Sequence, residues 1–170
     1  MVRYKLILFG DEAVGKTSLV QRYVNDKFND NYISTLGYNV YEKRVLCGER
    51  VVSLMIYDIG GQEKFADIRK MYAQGADTAL LVYDITNRES FDNITKWKND
   101  LQRIAGDVPF IVIGNKVDLE NRQVDSILGE NLYMDLGAMD FFETSAKTSQ
   151  NVELAFIRLA SETLSHNVQQ

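Results

Sequence analysis

The segment Gly10-Asp11-Glu12-Ala13-Val14-Gly15-Lys16-Thr17 narrows the possible folds of this chain more than any other stretch. It follows an apolar run, Tyr4-Lys5-Leu6-Ile7-Leu8-Phe9, and opens a stretch, 16–24, whose apolar residues recur at helical spacing. A glycine-bearing turn between a buried strand and a helix start gathers backbone N–H groups and the positive end of the helix dipole at one point, which is an anion cradle. Backbone N–H groups of Glu12, Ala13, Val14, Gly15, Lys16, Thr17 and Ser18 are expected to ring a β-phosphate. Gly15 allows close approach, Lys16 supplies a point charge between β- and γ-phosphates, and the Thr17 hydroxyl can ligate Mg²⁺. This loop by itself implies a nucleoside triphosphate.

Two later segments specify the base. Phe110-Ile111-Val112-Ile113-Gly114 reads as a buried strand, with Asn115-Lys116-Val117-Asp118 at its carboxyl end. An ionised Asp118 accepts two hydrogen bonds, and guanine offers two donors, its ring N1–H and its exocyclic amine. Adenine offers neither at that edge, and a desolvated carboxylate left unpaired discriminates by roughly 10⁴–10⁵. The Lys116 stem can lie across the base plane, and Asn115 can tie this loop to the phosphate loop. Phe141-Phe142-Glu143-Thr144-Ser145-Ala146-Lys147 gives a second strand end, where Ser145 and Lys147 flank the Ala146 N–H expected to meet the guanine O6.

A third region fits a sensor of the γ-phosphate. In Tyr57-Asp58-Ile59-Gly60-Gly61-Gln62-Glu63, Asp58 is expected to hold a Mg²⁺-bound water, the Gly61 N–H to touch the γ-phosphate and Gln62 to orient the attacking water. Thr35, lying between the phosphate loop and Asp58, is expected as a second hydroxyl ligand of Mg²⁺. No arginine is evidently placed as an intrinsic finger, and Arg69 reads as an exposed helix residue. Unassisted hydrolysis is therefore expected to be slow.

The remaining pattern fits one domain, 1–170. Strands are predicted at about 4–9, 38–46, 51–57, 78–84, 109–114 and 140–143, and helices at about 16–25, 66–73, 89–104, 125–137 and 151–165. Thr86 with Glu89 has capping-box spacing. Cys47-Gly48-Glu49-Arg50 reads as a hairpin turn. Alternating strands and helices with one hairpin predict an α/β fold with a mostly parallel sheet, helices on both faces and ligand at the strands' carboxyl ends. A hydrophobic content of 45% in 170 residues supports that two-sided core. The net charge of −5 argues against nucleic-acid binding. Cys47 is the single cysteine, which fits a reducing, cytoplasmic location without a disulfide framework. No apolar run approaches membrane-spanning length, Val2 excludes N-myristoylation, and Asn167–Gln170 carries no prenylation cysteine. Membrane attachment, peripheral if present, would therefore need a lipidated tail beyond these residues.

With these motifs in place, the chain resembles a small GTPase of the Ras superfamily over essentially its whole length, and within it is most similar to the Rab branch. The stretches that carry this likeness are Tyr32-Ile33-Ser34-Thr35, Gln62-Glu63-Lys64-Phe65, Leu81-Val82-Tyr83-Asp84-Ile85-Thr86, Glu89-Ser90-Phe91, Asn93-Ile94-Thr95-Lys96-Trp97 and Glu143-Thr144-Ser145-Ala146-Lys147. The resemblance implies a P-loop fold with a six-stranded sheet, one strand antiparallel, and five helices. It implies bound GTP or GDP with Mg²⁺, Phe28 packed against the guanine and Tyr32 closing over the phosphates. It also implies a monomer whose loops 30–40 and 60–74 meet an exchange factor, a GTPase-activating protein and effectors. Ile59-Gly60 stands where most Ras and Rab proteins have Thr-Ala, and Gly-Gly-Gln with Ala13 is more similar to Arf and Gα proteins. Tyr57 and Val40 replace two of three aromatic positions that Rab partners commonly read, while Tyr72 keeps the third.

Glu12 leaves two readings open. Its carboxylate either points to water or lies near the γ-phosphate, where a like charge about 5 Å away costs roughly 1–3 kcal/mol; in the second case Glu12→Gly raises assisted hydrolysis more than intrinsic hydrolysis. Two rival functions also stand: a GTP-binding interaction module that scarcely hydrolyses, favoured by Glu12 and opposed by Gln62 and Thr35, and a P-loop kinase or ATPase, opposed by Asp118.

Overall fold

Alternation along the first strand decides the layers of the molecule. Leu6 and Leu8 enter one core cluster and Ile7 and Phe9 the other, so both faces of the sheet are covered. The computed structural model describes residues 1–30 and 35–170. Six strands, β1 (Val2–Phe9), β2 (Tyr38–Cys47), β3 (Arg50–Ile59), β4 (Thr78–Asp84), β5 (Phe110–Asn115) and β6 (Asp140–Thr144), form one sheet in the order β2-β3-β1-β4-β5-β6. All neighbours are parallel except β2 and β3, which pair antiparallel from Tyr38↔Ile59 to Cys47↔Arg50. Their two-residue loop is Gly48-Glu49, where Gly48 sits at φ 62 and supplies the left-handed position that the tight turn requires.

Five helices cover the faces: α1 (Lys16–Asn25), α2 (Ala66–Ala73), α3 (Arg88–Asp92 continued by Ile94–Ala105), α4 (Ser126–Leu136) and α5 (Val152–Val168), with a 3₁₀ turn at Glu63–Phe65 before α2. Leu19, Val20 and Tyr23 of α1 meet Phe156 and Leu159 of α5 on one face; Trp97 and Leu101 of α3 fill the other with Ala73 of α2. The helix predicted over 89–104 occurs as two consecutive segments, Arg88–Asp92 and Ile94–Ala105, which together form α3. Between them Asn93 stays in the right-handed region at φ −82 and ψ −7. The predicted capping residue is corrected: Asn87, rather than Thr86, accepts from the Ser90 N–H at 3.3 Å. Thr86 instead turns back, donating its backbone N–H and its hydroxyl to Asp84 Oδ1 at 2.8 and 2.7 Å.

Strand order reverses direction at β1, whose neighbours β3 and β4 lie on opposite sides. The loop leaving β1 therefore opens at a topological switch point, where parallel sheets leave a crevice. No described helix is long and apolar enough to cross a membrane.

Candidate functional site

Carboxyl ends of β1, β3, β5 and β6 converge on a cleft of about 1310 Å³ whose walls include Lys16, Thr17, Thr35, Gln62, Asp118 and Ala146. At its floor, Gly15 has φ 99, and a Cβ there would meet Asn115 Nδ2 at 2.3 Å. Only glycine permits that approach. The first turn of α1 holds no acidic residue, and its N-cap makes no side-chain hydrogen bond, so its N–H groups are open to an anion.

Lys16 is buried and donates from Nζ to the carbonyls of Gly10 at 2.7 Å and Asp11 at 2.8 Å. Burial pulls its ammonium down from 10.5 to about 8, while Asp58, Asp11 and Glu12 pull it back up and Arg69 adds to the lowering. Beside it, Thr17 Oγ1 donates to Asp58 Oδ2 at 2.6 Å and lies 2.5 Å from Thr35 Oγ1. Since the single Thr17 proton goes to Asp58, the Thr35 hydroxyl donates to Thr17. Burial raises the Asp58 carboxyl, against the lowering by Thr17 and Lys16.

These three residues fit Mg²⁺. Two hydroxyl oxygens and a carboxylate meet at one point, all hard oxygen donors. Asp58 Oδ1 is buried without a hydrogen-bond partner, one of two such side-chain atoms among the described residues. A buried carboxylate oxygen is rarely left so unless an ion or its water belongs there.

The two segments expected to read the base are joined to the expected phosphate loop through Asn115. Its Nδ2 donates to the Val14 carbonyl at 3.1 Å, and its Oδ1 accepts from the Thr144 hydroxyl at 2.9 Å. Lys116, held at φ 71, reaches the Ala13 carbonyl at 2.7 Å and Asp84 Oδ2 at 3.0 Å. Asp118 Oδ1 accepts from the Ser145 hydroxyl at 2.7 Å, which leaves the carboxylate oriented and exposed at the cleft. Phe28, half-buried against the core, lines the same cleft with Lys147. Tyr32 lies outside the described residues.

Two expectations change at the second sensing loop. Arg69 is buried rather than exposed, and its Nη1 donates to the carbonyls of Gly60 at 2.8 Å and Gln62 at 2.7 Å. Its guanidinium lies 5.0 Å from the Trp97 ring centroid. Glu12 is exposed, but its Oε1 accepts from Gln62 Nε2 at 2.7 Å, so the side chain is engaged rather than turned to water alone. The Gly60 N–H donates to the Gly37 carbonyl at 2.9 Å, joining the two sensing loops.

Several supports have no motif of their own in the sequence. Arg22 of α1 donates to the carbonyls of Ala146 at 2.7 Å and Lys147 at 2.8 Å. Asp11 is held by Asn93 Nδ2 and Trp97 Nε1, each at 2.8 Å. Only Asp84 had a signal, an acidic residue at the carboxyl end of a strand beside the two that carry motifs.

The Ras family model matches residues 5–165. Among curated proteins, the chain is 40% identical to Ras-related protein Rab7 of Drosophila melanogaster over 165 residues, covering 94% of this chain and 80% of that one. It is 44% identical to Ras-related protein Rab-8 of Diplobatis ommata over 161 residues, covering 94% and 76%. It is 39% identical to the Ypt/Rab-type GTPase avaA of Emericella nidulans over 170 residues, covering 96% and 83%.

Proposed function

We propose that this chain, which belongs to the Ras superfamily of small GTPases and to its Rab branch, binds GTP and hydrolyses it to GDP and phosphate as a molecular switch. The observation that carries this is the double hydrogen bond of Asn115, which ties the phosphate loop to both base-reading segments in one cleft. A P-loop kinase or ATPase has no use for a carboxylate like Asp118 held at the base end.

In this reading Lys16 and the N–H groups from Glu12 to Ser18 bind the β- and γ-phosphates. Asp118, Lys116, Ala146 and Phe28 bind guanine. Thr17, Thr35 and Asp58 would hold Mg²⁺, which when bound neutralises charge on the phosphate oxygens. Gln62 orients the attacking water. The Gly61 N–H stabilises charge on the γ-phosphate, and its loss after hydrolysis lets the sensing loops relax. Both loops carry exposed apolar surface: Leu36 is 78% exposed, and the Tyr38 and Tyr72 rings lie with centroids 4.2 Å apart, tilted by 37°. That surface supports binding to an exchange factor, an activator and effectors, in membrane traffic as the Rab branch implies, with peripheral membrane attachment.

Nucleotide content and base preference test the function. Freshly purified protein is expected to release one equivalent of guanine nucleotide and to bind GDP far more tightly than ADP. Asp118→Asn should shift preference towards xanthine nucleotides. Comparable GDP and ADP affinities would end the assignment.

A further inference from the structure

Gln62 is held at both ends, and the two holds differ in kind. Its backbone carbonyl is pinned by the buried Arg69, and Gly61 beside it packs so tightly on the phosphate loop that a Cβ would meet the Gly10 oxygen at 2.5 Å. The main chain there has one place to be, so the reach of the side chain is set by what its amide bonds. The amide nitrogen donates to Glu12 Oε1 at 2.7 Å. A carboxylate only accepts, so this contact also fixes which end of the amide is nitrogen and which is carbonyl.

We propose that Glu12 is a positioning residue for GTP hydrolysis that competes with the γ-phosphate for the Gln62 amide nitrogen. This rests on the reading in which Gln62 orients the attacking water. A carboxylate oxygen and a terminal phosphate oxygen are both anionic acceptors for the same N–H, and Glu12 is part of the loop that cradles the phosphates. While GTP is bound, Glu12 draws the amide away from the reacting phosphate and slows the reaction. Once the γ-phosphate has left, the same carboxylate still clasps Gln62 and keeps residues 61–65 docked. The chain thus carries its own substitute for part of the γ-phosphate's grip, and the two nucleotide states differ less at this loop than the phosphate contacts alone would make them.

Single-turnover hydrolysis by protein preloaded with GTP, and amide hydrogen exchange over 61–65 in protein preloaded with GDP, test this together. The proteins compared are wild type, Glu12→Ala, Glu12→Gln, Gln62→Leu and the Glu12→Ala/Gln62→Leu double variant. Glu12→Ala is expected to hydrolyse about three- to tenfold faster and to exchange residues 61–65 about fivefold faster in the GDP state, the size of one exposed charge-assisted hydrogen bond. Glu12→Gln, neutral but still able to accept, falls between the two, and an activating protein should widen the gain. In the Gln62→Leu background, removing Glu12 should change nothing. Wild-type rate and exchange in Glu12→Ala would overturn the proposal, as would an equal gain in the Gln62→Leu background, which would mean that charge alone acts on the phosphate. A wild-type rate from Gln62→Leu would instead remove the role of the glutamine itself, an outcome distinct from failure of Glu12, which leaves Gln62→Leu slow and Glu12→Ala unchanged.

Discussion

Lys16 carries a positive charge into a place almost closed to water, and its two carbonyl partners only partly replace the hydration it gives up. With its folded-state pKa near 8, below the unfolded value of 10.5, the folded chain binds fewer protons than the unfolded one between those pH values. The slope of unfolding free energy with pH is then positive there. The burial penalty is present in full below about pH 8 and is relieved as pH rises towards 10.5. Nucleotide-free protein should therefore gain stability from this group on going from pH 8 to 10, and Lys16→Met should lose that part of the slope. Urea denaturation at several pH values, comparing the two proteins, would measure it; parallel pH profiles would mean that the lysine is not desolvated. A bound phosphate would supply the counter-charge that the carbonyls cannot, coupling the occupant of the cleft to the protonation of one side chain.

At the scale of elements, the second sensing loop is a hinge of glycines trapped between two bodies. A Cβ on Gly60 would meet the Phe65 ring at 2.5 Å and the Thr35 carbonyl at 2.8 Å; one on Gly61 would meet the backbone at Gly10, Asp11 and Glu12. Both glycines of the Gly60-Gly61 pair are thus required by how closely this loop lies on its neighbours. Gly61→Ala should leave GDP binding within about twofold, yet lower the affinity for a GTP analogue and the hydrolysis rate by more than about tenfold, because backbone rather than a flexible side chain blocks the way. Equal GTP-analogue affinities in wild type and variant would show that the loop does not close there. What could be read from the sequence follows the same geometry. That the phosphate loop proposed here, Asn115–Asp118 and Thr144–Lys147 meet in one cleft was legible because each is a run of consecutive residues after a strand. Arg22, Arg69 and the Asp11–Trp97 pair were not. Arg22 meets Ala146 across 124 positions and Trp97 meets Asp11 across 86, and no local spacing records a contact of that range. Arg69 bonds only seven and nine positions away, yet its burial depends on Trp97, which belongs to another helix. The break at Asn93 escaped for a related reason, since the apolar stripe of α3 runs straight through it.

Across the whole molecule, four strand ends contribute to one cleft, so a single occupant cross-links segments spread from Glu12 to Lys147. Anything that binds the folded chain and not the unfolded one stabilises it by mass action, by about 2.7 kcal/mol at a hundredfold excess over Kd. For a domain of this length that is roughly 5–10 °C in melting temperature. GDP with Mg²⁺ should produce such a rise, ADP at the same concentration should not, and chelating the metal should reverse much of it. A thermal shift that ignores both base and metal would break the link between the Asp118 end of the cleft and the Asp58 end. Leu6, Leu8, Ile7 and Phe9 are buried in the core below the crevice, which separates what holds the fold from what the fold would sense.

Trp97 is the sole tryptophan, and it sits where both regions meet: its indole N–H bonds Asp11 of the phosphate loop while the Arg69 cation that pins Gln62 lies over its ring. An indole stacked by a guanidinium emits differently from one released from it. The protein therefore carries a built-in fluorophore for its own cycle, and its intrinsic emission should follow nucleotide turnover in real time, with no dye attached and no label introduced.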